Sequence, residues 1–127
     1  MEQKYIKGDI VMYDSEIHTI MDTLGVNNYE LSYIEHPVHQ LELSGVPITP
    51  EILNNNRWRK LKSKRYTWWK TRFDGVYYFI KSNKDYPSIW ELCRGNTRRR
   101  FEKIRYIHQL QHFLFGLGLN SEMEVLV

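Results

Sequence analysis

A single cysteine, Cys93, means that no intrachain disulfide can hold this 127-residue chain together. No apolar run approaches the ~18 residues that a membrane-crossing helix needs. Residues 1–11, MEQKYIKGDIV, lack the charged start and apolar stretch of a secretory leader. The expectation is a cytoplasmic protein without a membrane segment. Only four prolines occur, and no low-complexity linker or internal repeat, so one domain over 1–127 is expected, with a β-rich acidic part over 1–48 and a basic part over 49–127. P-loop, GxSxG, HExxH and dinucleotide fingerprints are all absent. Gly116-Leu117-Gly118 follows a helical pattern and reads as a helix end. Cys93 sits in SIWELC, a setting that suits a buried thiol. His108 and His112 are four apart, and His36 and His39 three apart, but there is no HExxH pattern, no second cysteine and no acid near His108 in sequence. No catalytic residue, cofactor or metal is therefore expected.

Acid is missing where base is densest. Residues 57–72, RWRKLKSKRYTWWKTR, hold eight Lys/Arg, three of the four Trp and no Asp or Glu. The net charge of +3 conceals the contrast: residues 1–56 carry Lys4 and Lys7 against nine acids, whereas residues 57–105 carry sixteen Lys/Arg against Asp74, Asp85, Glu91 and Glu102. Such asymmetry points to an anionic partner, or to attraction between the two halves within a domain or across a homo-oligomer.

Residues 5–13, 16–24, 29–34 and 38–43 read as short strands, with turns at Asp14-Ser15, around Gly25 and Asn27-Asn28, and at His36-Pro37. That spacing suggests a small SH3-like sheet. Thr49-Pro50-Glu51 opens a short connector helix: the Thr hydroxyl caps it, Pro loses no needed donor, and Glu meets the positive end of the helix dipole. Residues 57–64 read as a connector. Strands follow over 65–73, 76–82 and 88–93, the first two joined at Asp74-Gly75. From 99 to about 117 the period becomes helical, with Ile104, Ile107, Leu110, Phe113, Leu114 and Leu117 on one arc and Arg105, His108, Gln109 and His112 opposite. The expected class is α+β: an SH3-like sheet, a connector helix, and an antiparallel meander packed by one long C-terminal helix.

Alternation along 65–73 places Tyr66, Trp68, Lys70 and Arg72 on one face and sends Trp69 into the core. Rings can stack on bases while cations meet phosphate, so these four are ligand candidates. Arg98, Arg99 and Arg100, read as the start of the long helix, would strengthen an anion site at its amides. A solvated basic loop is the plainer account of them. Arg105 and His108, on the outer arc, complete the candidate set. Whether Trp58 and Trp90 face core or ligand is open.

The segments RYIHQLQHFLFGL (105–117) and VPITPEIL (46–53) resemble small proteins of Bacteroidales phages and mobile elements. Those carry an IGN-x-V strand, an IPLTEEWL helix start and a C-terminal YVHQLQNLYFALTG-like helix, and Lys7-Gly8-Asp9-Ile10-Val11 stands where the first belongs. The order of parts extends over the whole chain, and the basic-aromatic middle departs from it. The resemblance transfers no site residue; it implies a phage accessory protein that binds something of its host. The leading expectation is a non-enzymatic, anti-defence sponge that sequesters a cyclic nucleotide-type immune signal. RNA or DNA binding by the same surface is the alternative, and inhibition of a host protein the second.

Overall fold

The computed structural model describes residues 3–61, 66–73, 75–83, 85–94, 99–123 and 125. Two compact units divide the chain: the segment up to Val46 together with Tyr106–Val125, and Pro47–Arg105.

In the first unit, β1 (Ile10–Tyr13), β2 (Glu16–Leu24), β3 (Asn28–Leu31), β4 (Val38–His39) and β5 (Leu43–Gly45) form an antiparallel sheet in the order β4-β3-β2-β1-β5. Asp14 and Ser15, both with positive φ, make the two-residue loop between Tyr13 and Glu16, the turn whose twist matches a hairpin. Side chains from alternate strand positions bury Val11, Ile20, Tyr29, Leu31, Val38 and Leu43, with Tyr5 completing the cluster.

The helix that follows β5 in sequence, α1 (Pro50–Asn55), does not belong to this unit, but α2 (Ile107–Gly116) does, and it buries Ile107, Leu110 and Leu114 as its apolar spacing requires. It buries the polar His108 and Gln111 as well, and leaves His112 half-buried. Gln111 accepts from the Ile10 amide at 2.9 Å and donates to the carbonyls of Gly8 and Ser121. His112 Nε2 lies 2.6 Å from the carboxylate of Asp9, which is itself buried and also accepts from the Ile6 amide. The helix ends in paired bonds from Leu119 N to Leu114 O and from Gly118 N to Phe115 O, with Gly118 at φ +72°, a conformation that glycine adopts without strain.

In the second unit, α1 (Pro50–Asn55) starts where Thr49 Oγ1 accepts from the Ile52 amide. Strands β6 (Arg59–Leu61), β7 (Tyr66–Phe73), β8 (Val76–Asn83), β9 (Tyr86–Arg94) and β10 (Arg99–Ile104) form an antiparallel meander in sequence order. The core side of its strands carries Trp69, Ile80, Trp90, Leu92 and Ile104, all buried. Trp58, also buried, follows α1 and bonds its amide to the Leu53 carbonyl.

The α+β expectation is overturned. Strand accounts for about half of the described residues, against about 20–25% in average domains, and the two helices among them are short. The C-terminal helix has ten residues and belongs to the first unit, not to the meander. Residues 99–104 instead pair with β9, Ile104 opposite Trp90. The spacing of Ile104 to Ile107 satisfies a helical arc as well as an inward strand position, so the wheel extended the helix backwards. The connector expected at 57–64 likewise contains a strand, β6, whose Lys60 and Leu61 pair with Trp69 and Trp68.

Two outcomes test the first unit. A Cβ on Gly45 would lie 2.5 Å from the Tyr106 ring, so Gly45→Ala should destabilise by ~1–3 kcal/mol, measured as a lowered midpoint in urea; an unchanged midpoint would show that Tyr106 yields. Burial, reinforced by the charges of His112 and Lys4, lowers the His108 imidazole to a pKa of about 4. The unfolded chain therefore takes up a proton that the folded state refuses, and the stability that His108 contributes above pH ~6.5 is lost as pH falls toward 4. Melting temperature measured from pH 7.5 to 4 should fall less steeply in His108→Gln; parallel slopes would contradict this assignment.

Candidate functional site

Strand β7 separates its two adjacent indoles. Trp69 is buried at 4% exposure, as alternation predicts, while Trp68, Lys70 and Arg72 occupy the opposite face. The register with β8 then decides the neighbours: Arg72 lies opposite Tyr77, Lys70 opposite Phe79, and Trp68 opposite Lys81. Each of these three rungs joins one cation to one aromatic ring. Directly opposed residues of an antiparallel pair share a face, so the three rungs make one continuous surface.

At one end the Arg72 guanidinium and the Lys70 ammonium each lie 5.5 Å from the centre of the Tyr77 ring. Arg59, opposite Lys70 on β6, adds a third cation. Together with Thr71 these residues line an open depression of ≈ 270 Å³. Among the described residues, no carboxylate comes within ion-pair distance of Arg59, Lys70 or Arg72. Cation–ring contacts at exposed sites contribute ~0.5–1 kcal/mol each and place charge over the ring without neutralising it. Three like charges therefore gather where an anion would relieve their repulsion.

The other end differs. Lys81 lies 4.9 Å over the Trp68 ring and pairs with Glu91 at 3.4 Å. Trp68 meets Phe79 edge-on at 6.3 Å, and Phe79 is only 7% exposed, so it supports Trp68 and presents no open ring. Among the described residues, the accessible rings of this face are Tyr77, 39% exposed, and the partly exposed Trp68.

The remaining candidates divide. Arg98 lies outside the described residues, as do the side chains of Tyr66, Arg99 and Arg100. The backbone of Arg99 and Arg100 belongs to β10, opposite Arg94 and Cys93, so these arginines do not open a helix. Tyr106 is the residue before α2, and the expected anion site at the helix amides is withdrawn on that ground. Arg105 is exposed between β10 and α2, its carbonyl accepting from the Ile48 amide. His108 is corrected: it is 3% exposed in the first unit, stacked on Tyr106 at 5.7 Å and edge-on to Tyr5 at 5.1 Å, with no partner for Nδ1. Aromatic neighbours from distant sequence draw it inward, which a helical wheel cannot register.

Tyr77, Arg59 and Lys81 were missed. Their signal lay in pairing: once Asp74-Gly75 is taken as a two-residue loop, Tyr77 must oppose Arg72 and Lys81 must oppose Trp68. The Asp9–His112 pair carried no local signal, since 103 positions separate its members. Burial raises the pKa of Asp9, and the Ile6 amide and His112 work against that rise. Among the described residues, no three His, Cys, Asp or Glu side chains are grouped to hold a metal ion. Cys93 is buried in β9, opposite Phe79.

No family model, curated protein or solved structure matches the chain.

Proposed function

We propose that the basic face of β6, β7 and β8 binds a nucleotide anion and holds it without chemistry, cations on phosphate and rings on base. The observation that carries this reading is the gathering of Arg59, Lys70 and Arg72 around Tyr77 with no acid to pair them among the described residues. Arginine suits phosphate because its planar fork donates two parallel hydrogen bonds. Base–ring stacking adds ~1–3 kcal/mol per base and tolerates many sequences.

Two ligand sizes fit that chemistry. The resemblance to phage accessory proteins favours a small cyclic nucleotide-type signal, sequestered in the host cytoplasm as an anti-defence measure. A site for so small a ligand commonly encloses most of it, and a homo-oligomer whose second copy covers the open face would supply the enclosure. The openness of the face in one chain favours the alternative, RNA or DNA. Among the described residues no helix is long and apolar enough to cross a membrane. A host protein docking through acidic side chains is a third reading, which binding of neither nucleotides nor nucleic acid would favour.

A thermal-shift screen over cyclic di- and trinucleotides and short oligonucleotides tests the reading, because a ligand that binds only the folded state raises the melting temperature. Lys70→Ala/Arg72→Ala should lose about tenfold in affinity per cation, ~1.4 kcal/mol each. With an oligonucleotide, the log–log salt slope should also become shallower by about one unit per cation removed. A double variant that binds like the wild type would exclude this face. Glu91→Gln removes the negative charge beside Lys81 and should tighten oligonucleotide binding severalfold at low salt, as titrations at two ionic strengths would register; weaker binding would show that Glu91 positions Lys81.

A further inference from the structure

Resting on the nucleotide-binding reading above, we propose that the ligand of this face is an extended single strand of nucleic acid running along β7 and β8 and engaging two stacking stations. The first station is Tyr77 with Arg59, Lys70 and Arg72; the second is Trp68 with Lys81. The rungs Arg72/Tyr77, Lys70/Phe79 and Trp68/Lys81 succeed one another along the strands, so the stations lie two rungs apart, ~13 Å at ~3.3 Å per residue.

A single nucleotide in the ≈ 270 Å³ depression meets Tyr77 and its cations only. It leaves unused the partly exposed Trp68 ring on the same face, beside which Glu91 holds Lys81. Phe79, between the stations, is sealed by the edge of Trp68, so bases stack at the two ends and the backbone crosses the middle past Lys70. A duplex does not fit this arrangement, because its bases are stacked on each other and their faces are closed to protein rings. A strand with free bases offers a phosphate and a ring face at every step, the same alternation that the rungs present.

Fluorescence anisotropy with labelled oligo-dT and oligo-U of one, two, four, six and eight nucleotides, beside a 12-base-pair duplex, tests the inference on the full chain. Affinity should rise about tenfold or more from the mononucleotide to a length that spans both stations, about four nucleotides, and then level off. Trp68→Leu should lower affinity for the tetranucleotide about tenfold and leave the mononucleotide unchanged, while Tyr77→Ala lowers both. Trp68→Phe, which keeps a ring and tests the fold, should retain most of the binding. Binding of either oligomer supports the inference, and oligo-dU beside oligo-U, which differ only in the 2′-hydroxyl, names the sugar. Tight mononucleotide binding with no gain in length, Trp68→Leu binding every length like the wild type, or equal affinity for the duplex overturns this inference and leaves nucleotide binding standing. Failure of every nucleotide at every length overturns both.

Discussion

The ladder between β7 and β8 pairs Tyr66 with Asn83 at one end and Phe73 with Val76 at the other, and its two-residue period decides which cations meet which rings. A slip of one position would exchange the faces: Trp69 would leave the core and Trp68 would enter it. The ladder is held at its closed end by the two-residue loop that includes Gly75 at φ +81°, and on its core side by Trp69, Ile80 and Leu92 in one cross-strand row. Burial of that row is thus what aims Lys70, Arg72, Tyr77 and Lys81 outward. The hydrophobic effect positions the charged surface.

Charge on that surface works against the fold. Arg59, Lys70 and Arg72 repel one another, and ring contacts relieve this only in part. A surface selected for stability alone would interleave acids, as Lys81 and Glu91 do two rungs away. The contrast between the paired cation at the Trp68 end and the unneutralised group at the Tyr77 end makes the latter the stronger anion site and leaves the former to offer chiefly its ring. Local rules tend to be broken where function requires it.

The first unit is held by a different device. Gln111 and His112, on adjacent positions of α2, reach the chain just before and at the start of β1, through the Gly8 carbonyl, the Ile10 amide and the Asp9 carboxylate. Among the described residues these hydrogen bonds close the largest sequence separations, so they tie α2 to the start of β1. Buried polar groups cost stability unless satisfied, and here the helix satisfies backbone groups that no strand pairs. His108, wedged between Tyr106 and Tyr5 with its Nδ1 unpaired, is the weak point of that arrangement and makes it sensitive to acid.

Local rules were enough for the elements whose causes are local. The span of β2, the turn at Asp14-Ser15, the Thr49 cap, the burial of Trp69 and the Gly118 helix end all follow from a few neighbouring residues, because alternation, capping and left-handed conformations act within one turn or one rung. The basic-aromatic character of the candidate site was legible for the same reason. Tertiary structure alone decided what depends on distant partners. Pairing with β9 made 99–104 a strand, so the arginine run left the helix it was expected to open. Segments a hundred residues away made Gln111 and His108 interior, which removed His108 from the site. Pairing with β6 brought in Arg59, whereas Tyr77 and Lys81 follow from counting across the Asp74-Gly75 hairpin and not from the pattern of either strand alone. Periodicity in a sequence tells which side of an element is apolar; only the partner that covers that side determines which polar residues go in with it.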